Sequence, residues 1–105
     1  MISKNQIHEL ANTILRLFNA KKIFVFGSYA HGTPGSDSDL DLCIVADLGN
    51  KRKIELLRDI RREIKESFQF PIDILVYDNQ EFSERAVHQN TLEHKISTQG
   101  TLIHG

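Results

Sequence analysis

Asp39 and Asp41 stand two residues apart, and Leu40, Leu42 and Ile44 alternate with them and with Cys43. Alternation at period two is the pattern of a strand, which puts both carboxylates on one face about 7 Å apart at the backbone. Neighbouring carboxylates repel each other, and the pair persists best when divalent cations neutralise it. Hard oxygen ligands of this kind suit Mg²⁺, which keeps several waters and completes its shell with substrate phosphates. A plainer reading makes the pair acidic gatekeepers on an exposed strand. Against it stand the depletion of Asp in strands and the interleaving with core-type residues.

Asp73 is the third acid, set among Ile72, Ile74, Leu75 and Val76. A buried, unpaired charge there would cost several kcal/mol, so it requires a cation, a hydrogen-bond partner or a solvated sheet face. A neighbouring strand carrying Asp39 and Asp41 would let all three acids share metal ions, provided they point the same way. Gly27-Ser28 closes the β-branched and aromatic run Ile23-Phe24-Val25-Phe26. Where a strand ends in a turn, backbone N–H groups and a hydroxyl can face a phosphate, and glycine lets the ligand approach closely. On its own such a pair is ordinary turn chemistry.

The elements that must position these groups follow from the flanking pattern. Ser3 and Gln6 form a capping box, and Ile7, Leu10, Ala11, Ile14, Leu17 and Phe18 recur at helical spacing, which predicts a helix over about residues 3 to 19. Strands are expected at 23–26, from Asp39 to Ile44, and at 71–77, with Pro71 at the first position of the last. Between the second and third lies a densely charged amphipathic helix over 50–68. Asp78 with Glu81 and Asn90 with Glu93 mark further helix starts, and Gly100 is read as a left-handed stop before Thr101-Leu102-Ile103. The order predicts an α/β (α+β) domain, a small mixed sheet with helices packed mainly on one face.

At 105 residues the chain has room for one domain, 1–105, and 40% apolar with 26% charged residues can bury a core. Thirteen Lys and Arg against fourteen Asp and Glu give a net charge of -1, without the basic excess of a domain that grips nucleic-acid backbone, so direct nucleic-acid binding is not expected. No apolar run approaches the ~20 residues of a membrane helix. The start lacks the features of a secretory signal, and one cysteine allows no internal disulfide, so a cytoplasmic location is expected. Seven of the basic residues fall between Lys51 and Lys65, interspersed with Glu55, Asp59, Glu63 and Glu66, as on a solvated, self-paired helix face. The five histidines show no zinc-ligand spacing. Tyr29, next to the Gly-Ser pair, is a candidate contact to nucleotide or partner.

Gly27-Ser28, ten residues and then Asp39-Leu40-Asp41, with Asp73 on a later strand, resembles the polymerase-β-type nucleotidyltransferase superfamily. Within it the chain resembles the minimal nucleotidyltransferase (MNT) group, whose members are about this long and consist of the catalytic palm alone. The family spacing and the alternation both select Asp39 and Asp41 over Asp37, which is read as a turn or cap residue. His31 departs from the pattern, since Arg or Lys often stands there, and histidine is a weaker positive clamp near neutral pH.

The resemblance implies a two-ion Mg²⁺ mechanism with ATP as substrate. Asp39, Asp41 and Asp73 would be catalytic and metal-binding residues, and Gly27 and Ser28 nucleotide-binding ones. It also implies AMP transfer to a protein acceptor, as in the antitoxins that neutralise a helical HEPN ribonuclease toxin; pairing rests on the family and not on residues. Partner surface, from another copy or a different chain, would complete the acceptor side. Two rivals are a binding antitoxin that acts by occlusion and an antibiotic-type small-molecule nucleotidyltransferase. The latter relatives carry an added helical domain.

Overall fold

The computed structural model describes residues 2–32, 35 and 39–104, so the expectation for Asp37 lies outside the described residues. In chain order the elements are α1 (Lys4–Phe18), β1 (Lys22–Phe26), a 3₁₀ turn (Gly27–Tyr29), β2 (Leu40–Ala46), α2 (Lys53–Ser67), β3 (Ile72–Asp78), α3 (Asn79–Ala86), α4 (Leu92–Gln99) and β4 (Thr101–His104). The strands form one mixed sheet in the order β3-β2-β1-β4, with β2 and β3 parallel and the other two pairings antiparallel. A parallel pair needs a crossover, and α2 supplies it.

α1 begins where the sequence signals it. Ser3 Oγ accepts from the Gln6 N–H, and the Gln6 side chain accepts from the Ser3 N–H at 2.8 Å, so two otherwise orphaned donors are satisfied. Ile7, Leu10, Ala11 and Ile14 are its buried stripe, and Asn19 closes it in the left-handed conformation with φ 52°. α2 starts at Lys53, later than the periodicity suggests, because the preceding turn contains Gly49 at φ 59°. Its charges do pair, but through Arg52 with Glu55, Lys51 and Arg62 with Asp59, and Lys53 with Glu81 of α3.

Strand alternation sorts the sheet into two cores. Ile23, Val25, Leu42, Ile44 and Ile74 face the apolar stripes of the two long helices, including Ile14 of α1 and Ile60 of α2. Phe24, Cys43, Val45 and Tyr77 face the other way, where the short α3 and α4 cover them through Phe82 and Ile96. Phe82 is wedged between the Phe24 and Tyr77 rings, with centroids 5.6 and 5.4 Å away. The larger helical layer is thus on one face, and α3 and α4 leave the rest of the second face for the acidic residues. Among the described residues no helix is long and apolar enough to cross a membrane.

Three local expectations change. Gly100 is extended at φ -74°, not left-handed; glycine is needed because an added Cβ would press on the Ile96 and Val25 carbonyl oxygens. α4 is capped by Thr91 rather than Asn90, its hydroxyl accepting from the His94 N–H at 3.1 Å. Asp78 caps α3 by accepting from the Gln80 N–H and also accepts from the Leu48 N–H, while Glu81 is drawn away to Lys53 and Arg85.

Candidate active site

The parallel register of β2 and β3 sets Asp41 directly opposite Asp73 and Cys43 opposite Leu75. Alternation therefore turns Asp41 and Asp73 to the same side as Cys43 and Tyr77, beyond the part that α3 and α4 cover, and Asp39 precedes β2 near enough for its charge to act on Asp41. On the other flank β1 runs antiparallel, and its last residue, Phe26, stands opposite Asp41. The chain leaves β1 through Gly27 at φ 71°, whose carbonyl oxygen accepts from the Ala30 and His31 N–H groups at 3.1 and 3.3 Å. A Cβ at Gly27 would overlap Asp41 Oδ2. Glycine is thus required twice over, for the left-handed backbone and for the space that the Asp41 carboxylate occupies.

Asp41 is half-buried, and Asp39 and Asp73 are exposed. Burial raises the Asp41 pKa above the ordinary carboxylate value, and the negative charges of Asp73 and then Asp39 raise it further. The site is therefore short of positive charge. Among the described residues no three His, Cys, Asp or Glu side chains stand close enough to hold a metal ion as placed. The donor set nonetheless fits one: hard oxygens only, Asp41 and Asp73 in register on one sheet face, with Asp41 sensing both Asp73 and Asp39 electrostatically. A divalent cation held by Asp41 with Asp39 or Asp73 would relieve that repulsion.

Beside Asp41 opens a cavity of about 360 Å³. Gly27, Ser28 and His31 form one side and Phe26 contributes an apolar wall, while α4 provides the other side through Leu92, Lys95, Ile96 and Gln99. These four recur at helical spacing and form one face of α4. The structure thus brings Gly27, Ser28 and Asp41 to one cavity, whereas Asp39 and Asp73 stand outside its lining. Tyr29 points elsewhere: its hydroxyl accepts from the Ile2 N–H at 3.0 Å and its ring packs on the α1 core. Lys95 and Gln99 escape a sequence reading because nothing near them in the chain resembles a phosphate or nucleotide motif. Only the docking of α4 beside Gly27 makes them neighbours of the site.

Residues 7–98 match the family described as nucleotidyltransferase domain. The chain belongs to this nucleotidyltransferase family. No curated protein matches the chain. Among solved structures, a candidate nucleotidyltransferase from Sulfolobus solfataricus superposes with a TM-score of 0.58 at 17% identity, over 91% of this chain and 74% of that one. A toxin–antitoxin structure with AMP-PNP gives 0.55 at 22% identity, over 93% and 73%. A toxin–antitoxin structure of MntA-HpeT with two aspartates changed to glutamate gives 0.52 at 20% identity, over 98% and 73%. At these identities the likeness is one of fold. For a nucleotidyltransferase, whose reaction generally uses a nucleoside triphosphate and a divalent metal, the glycine turn and the facing acids are where such chemistry would be sought.

Proposed function

We propose that the protein transfers a nucleoside monophosphate, AMP from ATP, to a hydroxyl of a protein acceptor, and that it serves as the antitoxin of a HEPN-type ribonuclease toxin. The observation that carries the reading is the Gly27 turn fitted against Asp41, with Asp73 in register beside it. Membership of the nucleotidyltransferase family and the folds shared with two toxin–antitoxin structures support it.

In this mechanism Ser28 and the backbone N–H groups around Gly27 bind the β and γ phosphates, which leaves the α phosphorus facing the acids. Asp39 and Asp41, with Asp73, would hold Mg²⁺, which neutralises charge on the triphosphate and lowers the pKa of the attacking hydroxyl. Asp73, exposed and open to solvent, accepts the proton of that hydroxyl as its oxygen bonds to the α phosphorus. The bond from the α phosphorus to its bridging oxygen breaks, and pyrophosphate leaves. Because Asp39 and Asp73 lie open outside the cavity, the acceptor approaches from their side, and a partner chain or a second copy completes that wall.

The test is the intact mass of a co-expressed helical partner after incubation with ATP and Mg²⁺. Wild type should add one or more units of about 329 Da, the mass of a transferred AMP, and the Asp39→Asn, Asp41→Asn double variant none. Tight complex formation without any mass gain, with every nucleotide tried, would replace catalysis by occlusion.

A further inference from the structure

We infer, on the nucleotidyltransferase reading, that Lys95 of α4 binds the polyphosphate tail of the nucleotide and is the fixed cation of the site. Among the described residues, Lys95 is the one basic residue besides His31 that lines the cavity of Ser28 and Asp41. The other groups proposed to hold the tail, the Ser28 hydroxyl and backbone N–H groups, are neutral donors, whereas a triphosphate concentrates its charge at the β and γ ends.

Lys95 is also uncommitted. Lys21, Lys51 and Lys53 each meet a carboxylate, while Lys95, like Lys4, Lys22 and Lys65, forms no ion pair with any described residue, and of these four it alone lines this cavity. In particular no ion pair spans the cavity from Lys95 to Asp41, so the volume between them is open to a ligand. Its backbone is firmly placed. Ile96 beside it is buried in the second core, Thr91 caps the helix, and Glu93 is tied to Arg85 at 3.3 Å. A lysine on a flexible stem anchored there serves as a point charge for phosphate.

Equilibrium binding of three Mg²⁺-complexed or free ligands separates this role from others: a nonhydrolysable ATP analogue, pyrophosphate and AMP. For Lys95→Met the analogue and pyrophosphate should weaken about 10- to 100-fold, the worth of one hydrogen bond to a charged group, while AMP changes less than about twofold. Lys95→Arg should recover most of the loss, and Lys65→Met, on the exposed face of α2, should bind like wild type. Unchanged affinity for the analogue, or equal losses for all three ligands, would overturn the assignment. If wild type itself binds no nucleotide, the proposed function falls with it; if wild type binds and Lys95→Met binds equally well, only the role of Lys95 falls.

Discussion

Asp41 sits opposite Asp73 on the parallel pair β2 and β3, and its carboxylate fills the space that a side chain at Gly27 would need. The Gly27 turn and the facing aspartates are therefore built as one unit.

Replacing Gly27 by Ala tests that unit. The left-handed backbone at φ 71° costs about 1–2 kcal/mol for a residue with a Cβ, and the added methyl must also displace Asp41. Gly32 provides the comparison, because it has nearly the same backbone at φ 70° but no atom of the described residues within 4 Å of an added Cβ. Urea denaturation should show Gly27→Ala destabilised more than Gly32→Ala. Transfer activity should fall at least about tenfold, 1.4 kcal/mol in transition-state terms, only for Gly27→Ala. Equal effects of the two on activity would mean that the Gly27–Asp41 fit is irrelevant to the chemistry.

Asp41 carries the second prediction. Burial, Asp73 and Asp39 hold its pKa above the ordinary value of 3.8 in the fold. A raised carboxylate pKa favours the folded state below the unfolded value and withdraws that stability as pH rises through the folded one. Without divalent metal, Asp41→Asn should therefore melt higher than wild type at pH 7, and the gap should close near pH 3. Adding Mg²⁺ should stabilise wild type and do less for the variant, since a ligand bound only by the folded state raises its stability. A lower melting temperature for the metal-free variant at pH 7 would contradict the electrostatic account.

Cys43 and Tyr77 give an alkaline signature. Burial, helped by the Glu93 charge, pushes the Cys43 thiol from 9.0 up to about 12. Burial chiefly, with Glu93 next, pushes the Tyr77 phenol from 10.0 up to about 12. Stability from these groups is complete below the unfolded pKa values and is lost as pH climbs from about 9 to about 12. Native Cys43, fully enclosed, should resist iodoacetamide at pH 8.5 at least about 100-fold better than the urea-unfolded chain, as thiolate and access both require. Rapid native labelling would show that the sheet opens over Cys43.

Much of this was legible in residues close in sequence. Ser3 and Gln6 specify the start of α1, the Leu40-Leu42-Ile44 alternation specifies β2, and the apolar run around Asp73 specifies β3, because capping and period-two burial are local effects. The spacing of Gly27-Ser28 from Asp39 and Asp41 marked these residues as candidates, and the structure sets the turn against Asp41. What escaped depends on distant packing. Tyr29 looked poised for a ligand, yet the chain turns it toward the Ile2 N–H. Gly100 suggested a left-handed stop, yet its backbone is extended, and the glycine is explained by the Ile96 and Val25 carbonyl oxygens that an added Cβ would press on. Lys95 is 54 residues from Asp41 in sequence (95 minus 41), and no motif links them.

The central claim, that the Gly27–Asp41 site transfers a nucleotidyl group, is tested most directly with ATP labelled at the α or at the γ phosphorus, given to the wild-type protein with its co-expressed partner and Mg²⁺. The account predicts that the α label enters protein, that the γ label appears only in pyrophosphate, and that the Asp39→Asn, Asp41→Asn variant incorporates neither. Incorporation of the γ label would mean phosphoryl rather than nucleotidyl transfer, and α-label incorporation undiminished in the variant would place the chemistry away from these aspartates.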